Sequence, residues 1–212
     1  VPEPRFAWVK NAQTLINIYV FVNVLGVILW QIYSLHKQNR LDFIEITFIL
    51  NNCVLAWVVL IRQKHIAVDK NLFHQCIALI AFFSGIAFTG QPASQHSTAI
   101  NVSQAVLLAA SLLGLITLLQ LKDSFGILIA CRTIKTGGLY RFVRHPMYVR
   151  DILLRVGYLI SHCTALTAGL VVLSAACYVY RALLEEKFLC EQSGEYMQYK
   201  KTVRYRFIPG IL

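Results

Sequence analysis

Residues 99–121 read AINVSQAVLLAASLLGLITLLQL, 23 positions without one Asp, Glu, Lys or Arg. A helix needs about 20 mostly apolar residues to cross the roughly 30 Å hydrocarbon core of a bilayer, so this segment is long enough to span it. Three segments before it read the same way, 14–35, 43–61 and 73–90, and their one acid is Glu45, near a span end. A polar stretch of some 25 residues follows, 122–146. Then come a short apolar segment at 147–161 and a longer one at 165–187, joined by the uncharged turn Ser161-His162-Cys163-Thr164. The expected fold is all-α: a polytopic transmembrane helical bundle with five full spans and one short helix, six in all.

Composition supports that class. Of 212 residues, 57% are hydrophobic and 14% charged, and the mean hydropathy is +0.59. Soluble domains carry about 45–50% apolar and about 25% charged residues. Disorder is excluded, because so apolar a chain does not stay solvated. The net charge of +10 does not point to nucleic acid, since a basic face of that kind sits on a soluble body. Six cysteines in a chain of this length do not make a disulfide-stapled secreted fold. None forms a C-x-x-C pair, so there is no zinc or redox spacing; all six are expected to be free thiols, and no metal site is expected. Residues 1–13, VPEPRFAWVKNAQ, lack the apolar core of a secretory signal.

Orientation follows from Lys and Arg, which cytoplasmic loops retain. The 62–72 loop holds Arg62, Lys64 and Lys70; the 122–146 segment holds Lys122, Arg132, Lys135, Arg141 and Arg144; the tail holds Lys187, Lys200, Lys201, Arg204 and Arg206. The 91–98 loop and the 161–164 turn have none. This alternation places both termini in the cytoplasm, with Lys37 and Arg40 in the 36–42 loop as a mild exception. The basic residues then face an anionic leaflet, each contributing about 1 kcal/mol of attraction. Short loops and the missing signal point to a bacterial inner membrane, with the endoplasmic reticulum as the alternative.

The chain divides into residues 1–121, four apolar spans, and residues 122–212, which hold thirteen of the twenty basic residues and six of the ten acids. Asn17, Asn23, Asn51 and Asn52 in the first half are expected to hydrogen-bond neighbouring helices. Ionisable residues inside apolar helices are functional candidates, so the chemistry is expected in the second half. Gly137 and Gly138 read as a turn. Pro146 suits the first position of a helix, and His145 then sits at its cap, beside free N–H groups that favour an anion. Arg144 adds a charge-assisted donor for a carboxylate. Asp151 and Arg155 are i,i+4 neighbours, as are Arg181 and Glu185, and either pair reads equally as self-neutralised. Arg150 and Arg155 are candidates to face a substrate. Glu186 points about 100° away from Glu185 around the helix. Tyr196 and Tyr199 suit a short interfacial helix.

The ordered set Arg144-His145-Pro146-x-Tyr148, a helical hairpin, Glu185-Glu186, Gly194-x-Tyr196-x-x-Tyr199 and a closing Ile208-Pro209-Gly210 resembles the isoprenylcysteine carboxyl methyltransferases. More loosely it resembles the phospholipid N-methyltransferases. Ser124-Phe125-Gly126 and Thr136 to Tyr140 also look like the bacterial members. The likeness covers residues 122–212. It implies an integral membrane enzyme that takes S-adenosylmethionine at the cytoplasmic end of the last two helices and a lipophilic or prenylated substrate from the bilayer. It also implies that Tyr140, His145, Pro146, Met147 and Tyr148 line the cofactor, with Glu185 and Glu186 closing it. Arg144, Glu185 and Glu186 would act in catalysis, and Arg150 and Arg155 would face the acceptor. Many members have glycine where this chain has Arg150, which raises a non-catalytic lipid-binding relative as an alternative. A small transporter is a third reading, suggested by Asp151, Arg155 and Arg181, but such proteins usually show repeats and this chain shows none. No nucleic-acid partner is expected.

Overall fold

Among the described residues, seven α-helices follow one another: α1 (Ala7–Gln38), α2 (Phe43–Ile61), α3 (Leu72–Phe83), α4 (Ser97–Leu121), α5 (Pro146–Ser161), α6 (Ala165–Gln192) and α7 (Gly194–Thr202). The computed structural model describes residues 7–38, 43–62, 65–85 and 97–211. Their ends obey local chemistry. Pro146 opens α5 with His145 at the cap, where the missing N–H costs nothing. Thr164 and Thr167 form a reciprocal capping box at the start of α6. The Asn71 side chain accepts from the Phe73 N–H at the start of α3, and Ser193 accepts from the Tyr196 N–H at the start of α7.

The fold is helical, as expected, with α4 at its centre. It packs against α5 on one side and α2 on the other; α1 covers α2, and α3 lies on α6. Two segments among the described residues are long and apolar enough to cross a membrane, Thr98–Ser124 and Ala165–Gln192. Both turn large apolar side chains outward, among them Val102, Leu112 and Ile116 on one and Leu166, Val172 and Leu173 on the other. Such faces are unfavourable in water and suited to lipid. The other apolar stretches, Asn17–Tyr33, Ile46–Ile61 and Leu72–Phe83, are shorter. The expected span 73–90 is helical only to Phe83, and residues 86–90 lie outside the described residues.

Polar side chains join the helices inside this apolar frame. Asn51 Nδ2 donates to Ser111 O and Oγ at 2.9 and 2.8 Å, tying α2 to α4. Asn52 donates to Gln31 at 3.1 Å, and Arg62 donates to Asn17 at 2.9 Å. Asn23 instead bonds the Tyr19 carbonyl of its own helix.

The polar stretch 122–146 departs from a simple loop. Phe125, Ile127, Leu128, Ile129, Ala130 and Cys131 are buried. Ala130–Cys131 (β2) pairs antiparallel with Ala67–Val68 (β1). Gln75 clamps the same backbone, donating to Ile129 O at 3.0 Å and accepting from Ile129 N at 3.0 Å. No period-2 pattern announces a two-residue strand. It forms because a buried backbone must find partners, and the α2–α3 connection supplies them. This packing turns 122–146 into a wall.

The α4–α5 contact sets where the polar end of α5 lies. Ser103 Oγ donates to Gly157 O at 2.7 Å. A Cβ on Gly157 would meet Leu107 Cδ2 at 2.9 Å and the Leu107 backbone nitrogen at 3.3 Å. Gly157→Val is therefore expected to destabilise the bundle by about 1–3 kcal/mol through overpacking. Thermal unfolding of the detergent-purified protein would show this as a lower Tm, and an unchanged Tm would mean that α4 and α5 pack differently.

Candidate functional site

A cleft of about 130 Å3, partly open to solvent, lies where α4 ends, α5 begins and α6 approaches α7. Its apolar part is made by Phe82, Leu121, Phe125, Met147 and Leu189. Its polar part is made by Arg132, Glu185, Tyr140, Tyr196 and Tyr199, with Tyr148, Asp151 and Arg181 deeper along α5 and α6.

The wall from 122 to 141 depends on one glycine conformation. Gly138 has φ +59°, and a Cβ there would fall 2.3 Å from the Gln120 side-chain nitrogen. The same Gln120 accepts from Leu139 N at 2.9 Å. A residue without a side chain takes this left-handed position without penalty. The turn read from Gly137-Gly138 is thus present, and it brings Tyr140 into the cleft.

The two adjacent glutamates have separate surroundings. Glu186 is 1% exposed. Its Oε1 accepts from Arg144 Nε at 2.8 Å and Arg206 Nε at 3.1 Å. His145 Nε2 lies 3.3 Å from the same oxygen, and Lys200 Nζ is 3.2 Å from Oε2. Arg144 continues the cluster, donating from Nη1 to the Val203 and Arg204 carbonyls at 2.6 and 2.7 Å. The Arg144 and His145 amides donate to Tyr205 O and Arg206 O. This cluster ties α6 and the start of α5 to the C-terminal tail. Glu186 does not line the cleft. Glu185 does, and its Oε2 accepts from the Tyr148 hydroxyl.

Tyr148 is held in turn. Its ring stacks on His145, centroids 5.0 Å apart at 10°, and the Arg181 guanidinium sits 5.2 Å from its centroid on a cation–π contact. Arg181 does not form the expected pair with Glu185. It donates to the Ala78 carbonyl at 3.0 Å and the Ile127 carbonyl at 2.6 Å. Asp151 and Arg155 differ from expectation too. Arg155 bonds the Asp151 backbone carbonyl at 2.7 Å and Ser84 Oγ at 2.7 Å, latching α5 to α3. The Asp151 carboxylate accepts from Arg150 at 2.7 Å. In each case a buried carbonyl or a nearer partner outcompetes the i,i+4 contact.

Of the residues read from the sequence, Tyr140, Arg144, His145, Met147, Tyr148 and Glu185 border the cleft. Pro146, Glu186, Arg150 and Arg155 do not. The Arg150 side chain reaches the α2–α4 contact, where a Cβ on Gly114 would lie 2.5 Å from its Nε and 2.8 Å from Asn51 Oδ1. The cation that stands in place of a family glycine therefore packs between helices and does not fill the cleft.

Tyr196 and Tyr199, expected at a membrane interface, are buried with Cys131, Tyr140 and Leu189. Tyr199 Oη donates to Tyr140 O at 2.7 Å. Burial raises the phenol pKa of Tyr140, Tyr196 and Tyr199, so all three stay neutral. The sequence reading took Arg132 only as one of the basic residues that set orientation. It is 6% exposed and borders the cleft, and burial lowers its pKa below the usual guanidinium range to about 10, against the opposing pull of Glu185. Only its place in a basic segment hinted at it.

Residues 98–195, a little under half of the chain, match the family model described as phospholipid methyltransferase. The match runs from α4 through α6 into the start of α7, and so includes Arg144-His145-Pro146-x-Tyr148, Glu185-Glu186 and the 122–141 wall. The resemblance to the membrane methyltransferases is thereby shown for this region. No curated protein matches the chain.

The geometry separates what the two glutamates do. Removing one partner of a buried ion pair costs about 3–5 kcal/mol, because the other charge is left uncompensated. Glu186→Ala is expected to lower the Tm sharply or prevent accumulation, whereas Glu185→Gln leaves the Tm within a few degrees of the intact protein. Equal melting temperatures for the two variants would contradict this division.

Proposed function

We propose that the chain, whose 98–195 region is of the phospholipid methyltransferase type, is an integral membrane, S-adenosylmethionine-dependent methyltransferase with a lipophilic acceptor. The observation that carries this reading is the cleft itself. The Glu185 carboxylate and the Arg132 guanidinium border it together with the neutral phenols of Tyr140, Tyr196 and Tyr199 and an apolar floor. Those groups suit the charges of the cofactor: a carboxylate for its ammonium and sulfonium, donors for its carboxylate and hydroxyls. Bound there, S-adenosylmethionine supplies a methyl group on a positively charged sulfur.

The chain's own residues position and shield. Tyr148 holds the Glu185 carboxylate by its hydroxyl, and His145 and Arg181 fix the Tyr148 ring from two sides. Phe82, Leu121 and Met147 make the apolar wall for an acceptor chain and keep water from it. A carboxylate acceptor, of the isoprenylcysteine kind, needs no base. An amine acceptor, of the phospholipid kind, must lose a proton, and Glu185 is then the base within the cleft. In this reading α1 to α3 also insert in the bilayer, both termini are cytoplasmic, and the cleft faces that side, in line with the Lys and Arg distribution.

Isothermal titration of the detergent-purified protein with S-adenosylhomocysteine tests the cofactor assignment. The intact protein is expected to bind with a micromolar Kd. Loss of a charged hydrogen-bond partner is worth about 1.5–3 kcal/mol, so Glu185→Gln is expected to bind about ten- to a hundredfold more weakly. No heat from the intact protein would refute the reading. Methyl transfer from labelled cofactor to phosphatidylethanolamine or to a farnesylcysteine analogue then separates the acceptors.

A further inference from the structure

The cations around the cleft are not equivalent. Arg144 is committed through Nε and Nη1 to Glu186 and two carbonyls. Arg181 gives both terminal nitrogens to carbonyls. Lys135 pairs with Asp123 at 3.0 Å. Arg132 differs: its Nε and Nη2 are buried and have no hydrogen-bond partner among the described residues. A guanidinium carries five donors and stays charged, and leaving it unpaired in a low-dielectric site is costly. Besides Arg181 Nε, the Ser124 Oγ and Tyr196 Oη atoms that border the same cleft have no partner among the described residues. Both are hydroxyls, able to donate beside a guanidinium. The backbone makes room for the group as well. Arg132 Nη1 lies only 2.1 Å from where a Cβ on Gly126 would stand, so the guanidinium occupies the space that Gly126 leaves.

We infer that Arg132, with Ser124 and Tyr196 as supporting donors, is an anion-anchoring site that holds a carboxylate or phosphate of the bound molecule. The opposite charge, Glu185, borders the same cleft, so the ligand end that fits is zwitterionic, an ammonium within a few bonds of an acid oxygen. An α-amino acid moiety has that form, and so does a phosphoethanolamine headgroup. The chemistry is shared and the source differs: the amino-acid end of the cofactor, or the headgroup of the acceptor. The identity of the ligand rests on the function proposed above; the anion site does not.

The test uses the full-length purified protein and four titrants: S-adenosylhomocysteine, 5′-methylthioadenosine, which lacks the amino-acid end, glycerophosphoethanolamine, and inorganic phosphate. The variants are Arg132→Gln, Arg132→Lys and Gly126→Ala, the last of which keeps Arg132 and pushes its guanidinium aside. Should Arg132→Gln fail to fold, the other two carry the reading. Tenfold or greater weakening of S-adenosylhomocysteine binding, with 5′-methylthioadenosine unchanged, assigns the anion to the cofactor. Unchanged S-adenosylhomocysteine binding with weakened glycerophosphoethanolamine binding assigns it to the acceptor. Both results uphold the site. If the intact protein binds neither adenosine compound, the methyltransferase reading fails, and Arg132 stands or falls on glycerophosphoethanolamine and phosphate. If no variant changes the binding of any titrant, the inference is overturned.

Discussion

The Glu186 carboxylate holds the functional end of the molecule together. It is buried near the end of α6, and its charge is compensated by Arg144 and Arg206, with His145 and Lys200 beside it. A carboxylate in that position without partners would cost several kcal/mol. With them, it joins three parts of the chain that are distant in sequence: the start of α5, the end of α6 and the tail after α7. Backbone bonds from Arg144 and His145 to residues 205 and 206 follow the same line. The tail is thereby drawn against α5, and α7 is set where Tyr196 and Tyr199 close the cleft against Tyr140.

Two adjacent glutamates can serve different ends because a helix turns about 100° per residue. One step along α6 separates a carboxylate consumed by structure from one that faces a cavity. The cations divide in the same way. Arg144, Arg155 and Arg181 spend their donors on carbonyls and carboxylates within the fold. They stiffen α5 and α6 against α3, the tail and the 122–141 wall. A bilayer protein has little hydrophobic driving force for packing helices against one another, and buried cations bonded to backbone carbonyls supply directional contacts in its place.

How legible this was follows from the range of each signal. The long apolar helices α4 and α6, the Pro146 start of α5, the Gly138 turn and the divergence of Glu185 from Glu186 are local, and each could be read from a few consecutive residues. Tyr148 and His145 were legible through the resemblance. What failed was tertiary. Nothing in the spacing of Asp151 and Arg155, or of Arg181 and Glu185, says that acceptors on α3 and at 126–127 lie within reach of these guanidinium groups. Arg150 looked like a group in the site because the sequence does not show that Gly114 and Asn51 make a slot for it between α4 and α2. Arg132 was overlooked as a site residue because the 122–146 stretch read as a solvated loop, and only its burial makes an unpaired guanidinium there significant.

The position of the cleft follows from an opposition within the chain. Ionisable groups are expensive among lipid tails, yet a lipophilic acceptor needs an apolar wall. Both conditions hold only where apolar spans end. Leu121 closes α4 and Glu185 lies in the last turns of α6, and Phe82, Leu121 and Met147 give the cleft its apolar floor there. Arg132, Tyr196 and Glu185 supply its polar side. A ligand with an apolar and a charged end meets both at once. In the function proposed above, that arrangement would hold a water-soluble cation and a membrane-borne acceptor side by side, with neither leaving its own phase.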